Sequence, residues 1–118
     1  MNKQEAAAGT AVTKAVSYLE GCGFRVLDRD WRSAGGKLSV IAAERHTFVA
    51  FKVLARSGRS DSTPAGALSR AERRRLRRLA AQWLTEHGYR FDQIRIDVIR
   101  LSSDGADGST TEHVRGAG

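Results

Sequence analysis

The chain has 118 residues, of which 41% are hydrophobic and 28% charged, and its formal net charge is +7. This length suits one domain with a single core, and no apolar run approaches the roughly 18 residues of a membrane-spanning helix. The N-terminus lacks the apolar segment of a signal peptide, and the single cysteine, Cys22, has no partner for an internal disulfide. We therefore expect a cytoplasmic protein that makes no membrane contact.

The first half of the chain predicts one helix and three strands. Apolar residues at helical spacing place a first helix at about residues 4–20. Alternating apolar residues, rich in β-branched and aromatic types, predict strands from Phe24 to Arg32, Leu38 to Ala42 and Thr47 to Val53. We expect the last two strands to pair antiparallel at the centre of a mixed sheet. Lys52 is unusual, because it lies near the end of an apolar strand with no carboxylate beside it in the sequence.

The second half predicts a loop, a helix and a strand. Residues 57–67, which contain the only proline, are expected to form a loop. Ser69 and Glu72 have the spacing of a capping box at the start of the second helix, and Gly88 is placed to end it. A final strand is predicted from Ile94 to Ile99. The element order is therefore α-β-β-β-α-β, in a core domain of residues 1–101 followed by a weakly structured tail of residues 102–118.

Helix and strand periodicity also predict the core of this α/β domain. Residues on the inward faces of the predicted elements should be buried when the helices pack against the sheet. The expected core consists of Val12, Val16, Leu19, Val40, Val49, Leu76, Leu79, Trp83, Ile96 and Val98.

Positive charge is concentrated in one quarter of the chain. Residues 52–78 contain nine basic and two acidic residues, which accounts for the whole net charge of +7. A compositional bias towards arginine would raise the arginine content everywhere, so it does not explain this clustering. A polyanion is the natural partner of such a segment, and nucleic acid, DNA in particular, is the partner we expect, bound through its phosphates. The candidate nucleic-acid-binding residues are Lys52, Arg56, Arg59, Arg70, Arg73, Arg74, Arg77 and Arg78.

Several short motifs, in order along the chain, resemble one known family. Residues 21–27 (GCGFRVL), 29–32 (RDWR), 35–36 (GG), 73–84 (RRRLRRLAAQWL) and 112–117 (EHVRGA) are similar to segments of the YraN-type family of restriction-endonuclease-like proteins. The resemblance covers about residues 9–117. It implies a single-domain restriction-endonuclease-like core, with a mixed central sheet flanked by helices.

The chain departs from that family at the catalytic motif, called PD-(D/E)xK. On one strand the family carries two acids, which fall here on Lys37 and Ser39, and the glutamate of its E-x-K motif falls on Ala50. Only Lys52 matches. In the family pattern the carboxylates bind Mg²⁺, which activates water for attack on a phosphate. The resemblance therefore implies a catalytically inactive relative that needs no cofactor, with Lys37, Ser39, Ala50 and Lys52 as vestigial positions.

Other sources of catalysis find little support in the sequence. Asp28, Asp30, Glu44 and Asp97 are better explained as ion-pair and turn residues than as relocated metal ligands. The three histidines have no metal-ligand spacing. Two alternatives to nucleic-acid binding nevertheless remain open. One is a Mg²⁺-dependent endonuclease with relocated acids, and the other is a protein-interaction module that docks through the arginines. The sequence does not fix the oligomeric state.

Overall fold

The computed structural model describes residues 3–57, 68–103 and 109–116. Its elements, in chain order, are α1 (Lys3–Gly21), β1 (Arg25–Ser33), β2 (Gly36–Glu44), β3 (Thr47–Ser57), α2 (Arg70–His87), β4 (Gln93–Ser103) and β5 (Ser109–Val114). The predicted order α-β-β-β-α-β is confirmed, and one further strand follows it. Of the loop predicted at residues 57–67, Ser57 is the last residue of β3, and residues 58–67 lie outside the described residues. No helix among those described is long and apolar enough to cross a membrane.

The five strands form one mixed sheet in the order β1-β2-β3-β4-β5. β2 and β3 pair antiparallel through a two-residue turn at Arg45 and His46, with Glu44 opposite Thr47, which confirms the central hairpin. β3 and β4 are parallel, so the chain must cross over between them, and α2 provides that connection. This crossover brings α2 onto the sheet face above β2, β3 and β4.

The two helices cover opposite faces of the sheet. Because side chains alternate along a strand, Val49 and Phe51 of β3 pack with α1, whereas Phe48 and Ala50 pack with α2. All ten residues predicted to form the core are buried, none with more than 9% of its surface exposed. Lys52 follows the same alternation, and its side chain lies on the α2 face.

The ends of α2 have the caps that the sequence predicts. Ser69 is the N-cap, and its Oγ accepts a hydrogen bond of 3.0 Å from the backbone N–H of Glu72. Gly88 ends the helix in the left-handed conformation, with φ of 70°. The apolar stripe of the helix is buried at Leu76, Leu79, Ala80 and Trp83. The opposite side of α2 is consequently left to solvent.

The C-terminal segment adds to the sheet. β4 extends past the proposed boundary at residue 101 to Ser103, and residues 109–114 form β5 antiparallel to it. The contacts of Asp97, which has no exposed surface, explain why this segment lies on the sheet. Its carboxylate accepts hydrogen bonds from His113 Nε2 at 2.7 Å and from the N–H of Gly116 at 2.8 Å. Leaving a buried charge unpaired is costly, so these contacts hold the segment on the sheet.

Candidate functional site

Three of the four positions that we matched to the nuclease motif lie together on the central hairpin. Val40 is opposite Phe51 in the β2–β3 register, so Ser39 and Lys52 are the next residues along the two strands. Lys37, Ser39 and Lys52 line an open pocket of about 280 Å³ between the hairpin and α2. We call it the cationic pocket. Ala50 is separate from it, because this side chain is only 1% exposed and belongs to the core under α2.

α2 adds two charged side chains to the cationic pocket. Glu72 Oε2 forms an ion pair with Lys52 Nζ, and Arg75 Nη2 lies 3.6 Å from the same carboxylate oxygen. Lys52 therefore has a carboxylate partner, although the sequence places none beside it. The spacing of Ser69 and Glu72 indicated a helix cap, and that signal is correct for the Ser69 side chain. That spacing does not indicate that the Glu72 carboxylate contacts Lys52, which lies 20 residues earlier in the chain.

A glycine allows α2 to lie this close to the hairpin. Gly36 has φ of 140°, a conformation that L side chains rarely adopt. A Cβ atom at this position would lie 3.3 Å from Cδ1 of Leu79 and 3.8 Å from Cδ of Arg75. Gly35 and Gly36, where the chain turns from β1 into β2, thus also provide the surface on which the first half of α2 packs.

Positive charge dominates the cationic pocket. Lys37, Lys52 and Arg75 carry positive charges and Glu72 carries the one negative charge among its lining residues, so two positive charges are in excess. Lys37 also lies 3.7 Å from Asp30, outside the pocket. Partial burial lowers the pKa of Lys52, and the nearby guanidinium of Arg75 acts in the same direction. A pocket with this charge favours an anion.

The same residues do not suit the Mg²⁺ ion of the family mechanism. Mg²⁺ is bound through carboxylate and other hard oxygen ligands, whereas this pocket offers a single carboxylate, on Glu72, and that carboxylate is engaged with Lys52. The excess positive charge would repel the ion. Among the described residues, no group of three or more His, Cys, Asp or Glu side chains is arranged to hold a metal.

The acids that we weighed as relocated ligands have structural partners. Asp28 accepts a hydrogen bond of 2.9 Å from Trp83 Nε1. Asp97 is opposite Phe51 in the β3–β4 register, and therefore lies on the α1 face of the sheet, away from Lys52. Its carboxylate also accepts bonds of 2.8 and 3.0 Å from Arg95.

Glu44, the fourth of these acids, joins the hairpin turn to β4 and to the C-terminal segment. It accepts from Arg115 Nη1 at 2.7 Å and from Arg95 Nη2 at 3.2 Å. These contacts with cations lower the pKa of Glu44, the bond from Arg115 having the largest effect. Glu44 and Asp97 thus form one network that stabilises the far side of the sheet, remote from the cationic pocket.

The candidate nucleic-acid-binding arginines of α2 lie mostly on its solvent side. We define the arginine face as the exposed arginines of this helix, which are Arg70, Arg74, Arg75, Arg77 and Arg78. Arg73 is half-buried. Arg77 donates a long hydrogen bond of 3.4 Å to the carbonyl of Ile94. The side chain of Arg56 and the whole of Arg59 lie outside the described residues. Arg75, which the sequence did not single out as a contact, is the arginine that joins this face to the cationic pocket.

Comparison with known proteins places the chain among bacterial relatives. Residues 13–101 match the family model described as "Uncharacterised protein family UPF0102". A UPF0102 protein of Beutenbergia cavernae is 39% identical over 101 residues, which cover 86% of each chain. One from Arthrobacter is 36% identical over 104 residues, or 88% of each chain, and one from Rhodococcus opacus is 37% identical over 103 residues, or 87% of each. The family-model match spans the hairpin, α2 and most of β4.

Proposed function

The chain belongs to the UPF0102 family, and on that premise we propose that it is a nucleic-acid-binding protein that contacts phosphates and does not cleave them. The arginine face of α2 carries the proposal. DNA is the expected nucleic acid. A cytoplasmic location fits Cys22, the only cysteine in the chain, which is exposed and free.

The geometry of α2 supports phosphate contact. Buried Leu76, Leu79 and Trp83 fix one side of the helix to the sheet, so the arginine face is held in one orientation. Guanidinium groups donate paired hydrogen bonds to phosphate oxygens, and such contacts position a protein on a duplex without reading its sequence. Glu72, the only acid in the first turn, pairs with Lys52 and lies near Arg75 of this face, so most of the face keeps its positive charge.

The cationic pocket supports binding without cleavage. Where the family pattern has acids, this chain has Lys37, Ser39 and Ala50, and the carboxylate that does reach the pocket, from Glu72, pairs with Lys52. Lys37 and Lys52 therefore extend the positive surface from the arginine face onto the sheet. A Mg²⁺-dependent nuclease would need at least one further carboxylate at this place.

Binding titrations test this proposal. The purified protein is titrated against labelled duplex, single-stranded and branched DNA of two unrelated sequences, with and without Mg²⁺ or Mn²⁺. We expect similar affinities for both sequences, a steep loss of affinity between about 50 and 200 mM salt, and no cleavage products. Absence of binding at the lowest salt concentration would refute the proposal and leave protein docking as the function of the arginine face. Cleavage that requires the metal would instead establish the nuclease alternative.

A further inference from the structure

The cationic pocket differs from the arginine face in shape and in charge balance. The arginine face is an exposed helix surface, whereas the pocket is a recess of about 280 Å³ whose walls come from β2, β3 and α2. Side chains of both signs meet in it, and Lys52 and Glu72 are only 30% and 21% exposed. Such a recess can enclose a compact anion, which a flat surface cannot do.

We propose that the cationic pocket binds a terminal phosphate group of a nucleic acid strand, a phosphomonoester, in exchange for the Glu72 carboxylate. This inference rests on the proposed function and extends it from the body of the nucleic acid to its end. The arginine face would hold the backbone phosphates, and the pocket beside it would hold the end of the strand.

The charge of the pocket matches a phosphomonoester better than an internal phosphate. An internal phosphodiester carries one negative charge and has two of its oxygens committed to the chain. A terminal monoester carries about −1.5 to −2 charges at neutral pH and has three free acceptor oxygens. The lining residues, including Glu72, have an excess of two positive charges. Lys37, Lys52 and Arg75 provide charged donors for the three oxygens, and Ser39 adds a hydroxyl group to the lining of the recess.

Glu72 occupies the position that the incoming phosphate would take. Its Oε2 pairs with Lys52 and lies 3.6 Å from Arg75, so the same two cations cannot bind a phosphate fully while the carboxylate remains. The Glu72 side chain has an alternative hydrogen-bonding position. It is the third helical residue after the Ser69 N-cap, and in a complete capping box this side chain bonds to the backbone N–H of the cap residue. The exchange would therefore move the carboxylate by a side-chain rotation, without unfolding α2.

The test compares pairs of oligonucleotides that differ only in a terminal phosphate. Duplexes with 5′-phosphate or 5′-hydroxyl ends, and with 3′-phosphate or 3′-hydroxyl ends, are titrated against the wild-type protein. We expect one phosphorylated end to bind about tenfold more tightly than its hydroxyl counterpart, as charge-assisted hydrogen bonds would give. A nucleoside monophosphate is the third arm. If it bound as tightly as the phosphorylated duplex, the ligand would be the free nucleotide and the assignment to strand ends would be wrong.

Two variants locate the effect in the pocket. Glu72→Gln removes the competing charge and keeps the side-chain size, so it should increase the preference for the phosphorylated end by about threefold, the equivalent of a partly exposed ion pair. Lys52→Gln should abolish the preference. Glu86→Gln is the matched control, because it removes an equal charge from the same helix about 21 Å further along. It should leave the preference at the wild-type value.

The outcomes separate this inference from the proposed function. Equal binding of phosphorylated and hydroxyl ends by the wild type and by Glu72→Gln, with duplex binding retained, would overturn the pocket assignment alone. Failure of the wild type to bind even the hydroxyl-ended duplex would overturn the proposed function, and this inference with it. An equal gain in Glu86→Gln would show that the effect is general electrostatics and would also overturn the assignment.

Discussion

The carboxylate of Glu72, in the first turn of α2, forms an ion pair with Lys52 of β3. The pair connects α2, which carries the arginine face, to β3. Lys52 is the residue that the resemblance to nucleases matches to the catalytic lysine. In that pattern two strands supply the carboxylates beside the lysine. Here a helix supplies the carboxylate, and Lys37 and Arg75 add positive charge around it.

This arrangement predicts that the wild-type protein binds divalent metals weakly. Because the pocket has one carboxylate and three cations, Mg²⁺ and Mn²⁺ should show no micromolar binding by calorimetry, and DNA should remain intact in their presence. Micromolar metal binding that disappears in Glu72→Gln but persists in Glu86→Gln would contradict this prediction and would identify Glu72 as a relocated metal ligand.

The close approach of α2 to the hairpin predicts a penalty for any side chain at position 36. Gly36→Ala combines an unfavourable φ of 140° with a Cβ contact of 3.3 Å to Leu79, so the free energy of unfolding should fall by about 1–3 kcal/mol. Gly9→Ala is the control. It lies within α1 with nothing within 4 Å of its Cβ position, and it should stabilise the protein by about 0.5–1 kcal/mol. Urea denaturation measures both, and equal effects would contradict this account.

The buried carboxylate of Asp97 predicts that β5 is part of the folded domain. Asp97→Ala removes the acceptor for Arg95, for His113 and for the N–H of Gly116, so His113 loses its carboxylate partner and Arg95 keeps only Glu44. We expect the free energy of unfolding to fall by about 3–5 kcal/mol. Asp92→Ala, at an exposed position, should change it by less than about 0.5 kcal/mol. If both substitutions had a similarly small effect, the C-terminal segment would contribute little to the free energy of unfolding.

Glu44 predicts a specific dependence of stability on pH. Its pKa is lowered in the folded protein by Arg115 and Arg95, so its contribution is complete above the ordinary pKa of a glutamate. The contribution is lost as the pH falls through the lower, folded value. Glu44→Gln should therefore destabilise the protein at neutral pH, by about 1 kcal/mol, and the difference from wild type should shrink in acid. Glu20→Gln, an exposed position at the end of α1, is the control and should follow the wild-type curve. A difference that does not depend on pH would contradict the assignment.

Local signals were sufficient to predict most of the fold. The caps at Ser69 and Gly88 and the buried stripe of α2 depend on residues close together in the sequence, and each of these is confirmed. β5 was missed, since a strand of Ser, Thr, Glu and His has little apolar alternation. Its order depends on the contact of His113 with Asp97, 16 residues away.

The candidate site was predictable only in part, for a similar reason. Strand alternation and the family resemblance identified Lys37, Ser39 and Lys52, which do line one pocket. The contribution of Glu72 and Arg75 depends on how the crossover sets α2 over the hairpin, and no pattern in the sequence specifies that position. Ala50, which the resemblance matches to a family carboxylate, is instead buried in the same core cluster as Leu76 and Leu79 of α2.

The central claim, phosphate binding by the arginine face, is tested most directly by the salt dependence of DNA affinity in a double variant. Arg74→Gln with Arg78→Gln removes two exposed charges one helical turn apart, away from the buried stripe of α2. The control, Arg25→Gln with Arg45→Gln, removes two exposed charges outside α2, one at the start of β1 and one in the β2–β3 turn.

We predict that the Arg74/Arg78 variant binds two unrelated duplexes more weakly by the same factor. Its plot of log affinity against log salt concentration should be less steep than that of the wild type by about 2, one for each phosphate contact removed. The control pair should keep a slope close to the wild-type value. An unchanged affinity and slope in the Arg74/Arg78 variant, with its helical circular dichroism intact, would contradict the account.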